Sequence, residues 1–291
     1  MFIFKPLNEV SISILVNLVN EVFKDYVVPV RWTYDSFNMD IKENSISLED
    51  SFLVFSGEKP VGFCIISIRN RIGRIDSIGV LEEYRGTGLA SQMLFRVVEN
   101  LKWKDIDNII LEVVELDKRS VRFYEKHGFR LKRNLYSYLK RKNQQTQHVS
   151  SFKYEATTSD IIYELAQIAK LRLKRDPNWQ RDPMTLKLSE KRYIYEIILN
   201  EEGDKIGYIV WGLNEDNAFI VDVAPVDEKY NFLDEKYNFF EIVKDATSKL
   251  FQIKDEIIVI TVPEDDPLNS ALIDNKYISF IKQLEMERKL H

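Results

Sequence analysis

Between Ile75 and Ala90 the chain reads IDSIGVLEEYRGTGLA. An apolar strand-forming run passes through a charged turn and two glycines. It then enters a stretch with helical apolar spacing at Leu89, Met93, Leu94, Val97, Val98 and Leu101. This junction constrains the fold more than any other feature. It asks for backbone conformations that glycine adopts without strain. It also leaves the first N–H groups of the helix free and aligned with the helix dipole. Such a helix start suits an anion, a pyrophosphate in particular, with Arg85 adding a cation at the rim. Alone, the two glycines read equally well as a tight turn. The Lys-Ser/Thr pair of a P-loop and the third glycine of a dinucleotide fingerprint are both missing.

The surrounding pattern is mixed α/β. Helical spacing runs over Glu9–Tyr26 and again over Tyr34–Ile41. Phe52–Phe55 and Gly62–Ile68 read as paired strands about a turn at residues 57–60, and Arg74–Leu81 as a third strand. Ile109–Val114 is an apolar strand broken by Glu112. Asp117 is placed to cap a helix that Gly128 ends, and a last strand covers Phe129–Lys140. The polar run Arg141–Ser151 reads as a linker. With 291 residues, two domains are expected: residues 1–141, a linker at 142–151, and residues 152–291. The second part repeats the order of the first more faintly, which suggests internal duplication. A literal repeat, DEKYNF at Asp227–Phe232 and Asp234–Phe239, has no evident role.

Composition narrows the classes. Hydrophobic residues at 45% and charged residues at 30% describe a globular chain. A net charge of −5 weighs against nucleic acid as the main partner. The single cysteine, Cys64, rules out an internal disulfide and a thiolate metal cluster, and no metal site is expected. No apolar run nears the roughly 20 residues that span a bilayer, and Met1–Leu7 lacks signal-peptide character; the expectation is a cytoplasmic protein without a membrane partner.

The glycine segment resembles motif A of the GNAT superfamily of N-acetyltransferases, Arg/Gln-x-x-Gly-x-Gly/Ala, met here by Arg85, Gly88 and Ala90. Downstream, Asp117–Phe129 resembles motif B, with Tyr124, Gly128 and Phe129 matching. Asp117 stands where Asn is usual, and Ser120 where Ala is usual. The resemblance covers about residues 1–140. It implies a GNAT fold, a mostly antiparallel sheet flanked by helices, and acetyl-coenzyme A as the acetyl donor. It further implies that backbone groups of Ile78 and Val80 pair with the pantetheine arm. Amides from Gly86 to Ser91, including Thr87 and Gly88, would cradle the pyrophosphate, and Tyr124 would protonate the departing thiolate. The acceptor is expected to be an amine that attacks directly.

Several alternatives stand beside these roles. Tyr124 also fits an ordinary core aromatic among Val121, Phe123 and Phe129. Asp117 reads as a cofactor contact or as a helix cap only. For the base that deprotonates the amine, Glu112 ranks first, with Asp76, Glu115 and a water chain as rivals. Tyr26, Trp32 and Phe37 sit where the family shapes its acceptor pocket, or are simply packing residues. The loop at Ala224–Tyr237 contains no glycine, and Ile273 falls where Tyr124 lies, so the second part reads as a degenerate GNAT-like domain. The rival function is a non-catalytic coenzyme A-binding regulator. The acceptor's identity and the oligomeric state are not written in the sequence.

Overall fold

The computed structural model describes residues 1–26, 30–143, 149–226 and 238–291. These residues form two compact units. One is Met1–Lys132 with Leu284–His291, and the other is Arg133–Gln283.

In the first unit, strand β1 (Phe2–Pro6) pairs antiparallel with β2 (Phe52–Ser56). Between them lie helix α1 (Ile12–Val22), whose Leu15 and Val19 are fully buried, and α2 (Tyr34–Glu43). Thr33 and Ser36 cap α2 reciprocally, each side chain accepting from the other's backbone N–H. Strands β2, β3 (Lys59–Arg69) and β4 (Ile72–Val80) form an antiparallel meander. Its turns are closed by Gly57 (φ 62°) and Asn70 (φ 51°), residue types that tolerate the left-handed region. Helix α3 (Leu89–Trp103) returns the chain to β5 (Asn108–Val114), which pairs parallel with β4. Helix α4 (Lys118–Lys126) follows. The core joins Leu15 and Val19 to Phe37, Phe63, Ile65, Met93, Leu94, Val97 and Phe129.

Two irregularities in β4 open the sheet. Its register with β3 slips so that Asp76 is an extra, bulged residue between Ile75 and Ser77. Its pairing with β5 ends at Ile75↔Leu111, immediately before that bulge. Beyond it, Ile78–Val80 remain paired to β3, and the opposite edge has left β5.

The second unit repeats the plan. Strand β6 (Arg130–Arg141) enters it from Arg133 onward. Then come β7 (Lys153–Ala156), α5 (Ser159–Arg172), α6 (Pro183–Leu188), β8 (Ile194–Leu199), β9 (Lys205–Leu213) and β10 (Ala218–Pro225). Helix α7 (Phe239–Leu250), β11 (Glu256–Pro263), α8 (Pro267–Asp274) and β12 (Ile278–Lys289) complete the chain. Strands β7, β8, β9 and β10 are successively antiparallel, β10 pairs parallel with β11, and β11 pairs antiparallel with β6. In β10 the extra residue is Val221, and pairing with β11 ends at Ile220↔Val259, again directly before the bulge. Both units are thus mixed, mostly antiparallel sheets flanked by helices, the expected fold class.

Some expectations shift at element ends. The helix read over Glu9–Tyr26 is shorter, because Leu7–Glu9 form a 3-10 turn and α1 begins only at Ile12. Strand β1 and the short α6 had no counterpart in the sequence reading. The first covers only five residues, and the second is a single proline-started helix of six. Most of the DEKYNF repeat, residues 144–148 of the linker and Val27–Pro29 lie outside the described residues.

Candidate active site

The opened edge of β4, the turn after it and the start of α4 enclose a cavity of about 480 Å³. That lies within the roughly 300–1,000 Å³ typical of small-molecule sites. Ile78, Gly79 and Val80 supply one wall. Their edge, no longer paired with β5, offers backbone groups to an extended ligand that adds as a strand, the Val80 carbonyl being already bonded to Arg85.

The floor is the glycine turn. Gly86 and Gly88 take φ of 82° and 85°, conformations that L side chains rarely adopt. A Cβ built at either meets no described atom within 4 Å, so this backbone faces open space. Gly88 is the N-cap of α3 and gives no side-chain cap, and α3 has no acid in its first turn. The free amides of Leu89, Ala90 and Ser91 therefore keep their positive end of the dipole uncompensated, ready for an anion. The Thr87 hydroxyl donates to the Tyr84 carbonyl at 2.7 Å and tightens the turn; Thr87 itself does not line the cavity. Arg85 lines the cavity with its side chain folded back, Nε donating to the Val80 carbonyl at 3.2 Å.

The far wall comes from α4. Asp117 caps this helix: Oδ1 accepts from the Ser120 amide at 3.0 Å and Oδ2 from the Ser120 hydroxyl at 2.7 Å. Asp117, Ser120 and Tyr124 recur at spacings of three and four, which puts them on one helical face, and all three line the cavity. Tyr124 is buried between the rings of Phe123 (5.4 Å) and Phe129 (5.7 Å). Burial pushes its phenol well above the ordinary range, so it stays protonated at any physiological pH. Tyr26, four residues beyond α1, also lines the cavity. Burial, and then the charge and hydrogen bond of Asp117, raise its phenol to about 12.

Not every residue singled out in the sequence reaches this cavity. Phe37 is fully buried in the core and stacks with Trp32 at 4.9 Å, and neither lines the cavity. Trp32 is held by Asn20, which exchanges two hydrogen bonds with its backbone. Glu112 does not line it either. Its side chain is buried, and its carboxylate lies 3.8 Å from Arg74. Arg74 also pairs with Asp76, and the Ser67 hydroxyl donates to Asp76 as well. Burial raises the Asp76 carboxyl above the usual range, against the opposing pull of Arg74.

Val22, Phe23, Tyr84, Arg119 and Phe123 complete the lining without having been anticipated. The one available signal was helical spacing: Arg119 and Phe123 sit four apart on α4, beside the Asp117–Tyr124 face.

A strand that splays from its parallel neighbour at a bulge, then enters a glycine turn and an uncapped helix, leaves a cleft with a strand edge on one side and free helix amides on the other. Residues 17–129 match the model of the acetyltransferase (GNAT) family. No protein of curated function matches the chain in sequence. Among solved structures, it is similar to a tandem GNAT protein from the clavulanic acid biosynthesis pathway, solved without AcCoA. The TM-score is 0.70 at 10% identity, over 100% of this chain and 99% of that one. It is similar too to a GCN5-related N-acetyltransferase from Sphaerobacter thermophilus (TM-score 0.69, 10% identity, 100% and 96% covered). A putative acetyltransferase from Pyrococcus horikoshii gives 0.65 at 15% identity, with 99% and 89% covered. The whole chain thus has the tandem GNAT fold. That fold generally supports acetyl transfer from acetyl-CoA, and its members act generally on amine acceptors. No helix among the described residues is long and apolar enough to cross a membrane.

Proposed function

We propose that the protein is an N-acetyltransferase that moves an acetyl group from acetyl-coenzyme A to a primary amine by direct attack, using the cavity of its first unit. One observation carries this reading. A single cavity is lined by the free edge of β4, by Gly86–Ser91 of the cradle (except Thr87) and by Tyr124. The residues fit the coenzyme. Ile78 and Val80 would hold the pantetheine arm, and the amides from Gly86 to Ser91 the pyrophosphate, with Arg85 and Arg119 at the rim. Acetyl-coenzyme A supplies an activated thioester. Tyr124, kept neutral by burial, would deliver its phenolic proton to the departing sulfur. Tyr26 and Asp117 would border the same space. The acceptor ammonium must lose a proton first. The buried Asp76–Arg74–Glu112 cluster, at the bulge where β4 leaves β5, would supply the base. Asp76, with its raised carboxyl, suits that task better than Glu112, and it acts through water because neither residue lines the cavity.

The chain-order halves, residues 1–141 and 152–291 about a linker at 142–151, are in this reading an active GNAT domain and a degenerate copy. Glu112, held by Arg74 away from the cavity, favours a second reading in which the coenzyme is bound without turnover. Calorimetric titration with acetyl-coenzyme A, followed by thiol-release assays over a panel of amines, separates the two. Binding of one equivalent with turnover of some amine supports the enzyme. Binding without turnover of any amine supports the regulator. No binding removes both.

A further inference from the structure

His127 belongs to none of the roles above, yet it reaches the cradle. It is the C-cap of α4, and its ring bridges two helices. Nδ1 lies 2.7 Å from the Phe123 carbonyl oxygen, and Nε2 lies 3.0 Å from Ser91 Oγ. A carbonyl only accepts, so Nδ1 carries a hydrogen. In the neutral ring, Nε2 is then an acceptor, and the Ser91 hydroxyl must donate to it. That turns the Ser91 proton toward the ring and leaves only oxygen lone pairs for the cavity, where an anion is expected. In the imidazolium both nitrogens donate. Nε2–H then donates to Ser91 Oγ, and the hydroxyl proton is released toward the ligand.

We infer that His127 is a proton-coupled positioning residue, which takes up a proton when a pyrophosphate-bearing coenzyme binds and so turns the Ser91 hydroxyl into a phosphate donor. The charges around the ring fit this assignment. From the C-terminal strand, Arg288 donates to the His127 carbonyl at 2.6 Å and opposes a second cation there. From α3, no acid stands in the first turn. On α4 itself one acid and one base, Glu125 and Lys126, precede the ring in sequence, and the Phe123 ring packs at 4.4 Å. The anion brought by the ligand is therefore the charge that tips the ring toward its imidazolium. Each proton bound at the ring rotates one hydroxyl; no covalent bond is made or broken.

The inference rests on the coenzyme reading above, and its test separates the two. Coenzyme A, and dephospho-coenzyme A, which lacks the titrating 3′-phosphomonoester, are titrated calorimetrically in two buffers of different ionisation enthalpy, between about pH 6 and pH 8. The expected result is proton uptake by the unmodified protein, absent in His127→Gln and in Ser91→Ala. Its affinity should rise about tenfold toward the acidic end, as for one hydrogen bond to a charged group, while the affinities of both variants stay level. Equal proton uptake in the unmodified protein and in either folded variant overturns the assignment. Should His127→Gln fail to fold, Ser91→Ala decides alone. No binding at any pH overturns the coenzyme reading itself.

Discussion

The same strand plan ends in an open cleft in one unit and in a filled one in the other. In the first, β4 leaves β5 at Asp76, and the space beyond is cavity. In the second, β10 leaves β11 at Val221, and two arginines from the α5–α6 connection occupy the gap. Arg181 donates to the Val221 carbonyl and, at 2.6 Å, to the Ile260 carbonyl, so it bridges the two strands where they part. Arg175 donates to Asp222 at 2.8 Å and to Asp266 at 3.0 Å, and to the Tyr208 hydroxyl at 3.3 Å. The helix starts differ in the same sense. Gly88 leaves α3 uncapped, whereas Asn238 caps α7 by accepting from the Glu241 amide, and Glu241 puts a negative charge in the first turn. Pro225, at the end of β10, has no N–H to offer a ligand, where Val80 at the end of β4 has one. One strand plan therefore leaves its cleft open or fills it, according to a handful of side chains around the splay.

The largest expected effect breaks the first side of this comparison. Gly88→Glu sets a side chain at φ 85° and a carboxylate against the free amides of α3. Calorimetry should find one acetyl-coenzyme A per unmodified chain and none for the variant. Two sites per unmodified chain would mean that the arginines of the second unit do not block its cleft. Next in size is the loss of Arg175. Burial alone would lower its pKa, but Asp222 and Asp266 outweigh this and hold it well above the ordinary arginine value. Arg175→Ala removes the cation shared by two buried carboxylates, of which Asp222 keeps Arg181 and Tyr208 and Asp266 keeps the Leu268 amide, and should cost about 3 kcal/mol in denaturant unfolding. A cost near zero would show the cluster to be filling only.

Tyr124→Phe comes third. It should leave coenzyme affinity unchanged and slow turnover by roughly 10²-fold, the lower end for one general acid. An unchanged kcat would return Tyr124 to the core, among the rings of Phe123 and Phe129.

The cradle was legible in the sequence because its chemistry is local. Gly86, Gly88, Ala90 and Ser91 are consecutive, and glycine at φ near 85° leaves a mark in the residue string. Tyr124 was marked by the resemblance of Asp117–Phe129 to motif B and Asp117 by its place as a helix cap, and the structure puts both on one helical face of the cavity wall. Phe37 and Trp32 were not legible, since an aromatic in a loop or short helix looks alike whether it lines a cavity or stacks in a core. Glu112 was ambiguous for a related reason. A lone carboxylate in an apolar strand signals a polar partner, but not which one; the structure supplies Arg74, on β4 across the parallel pair, instead of the cleft. The filling of the second cleft was legible only as missing glycines. Arg175 and Arg181 lie in the connection between α5 and α6, some 40–90 residues from the groups they bind, and no short-range pattern announces them.

The smallest effect sharpens the comparison at one matched position. Each unit's first amphipathic helix is followed, within a few residues, by a side chain that holds the aspartate capping the unit's last helix. In the first unit Tyr26 holds Asp117, and in the second Arg175 holds Asp266. The arginine keeps its charge at every accessible pH, and the tyrosine does not. Burial and Asp117 raise Tyr26 from 10.0 to about 12, so the folded state favours its neutral form. A phenol raised on folding contributes stability that is fully present below its unfolded value and is lost as pH climbs toward the folded one. The contribution of Tyr26 should therefore be intact below about pH 10 and fade between about pH 10 and 12. Other buried tyrosines fade in the same window, so the measurement is a difference: unfolding of the unmodified protein against Tyr26→Phe, at pH values from neutrality to about 11.5. The gap between them should narrow as the pH rises. A constant gap would mean that the hydroxyl of Tyr26 does not depend on Asp117, and that the matched position is shared by the two units in shape only.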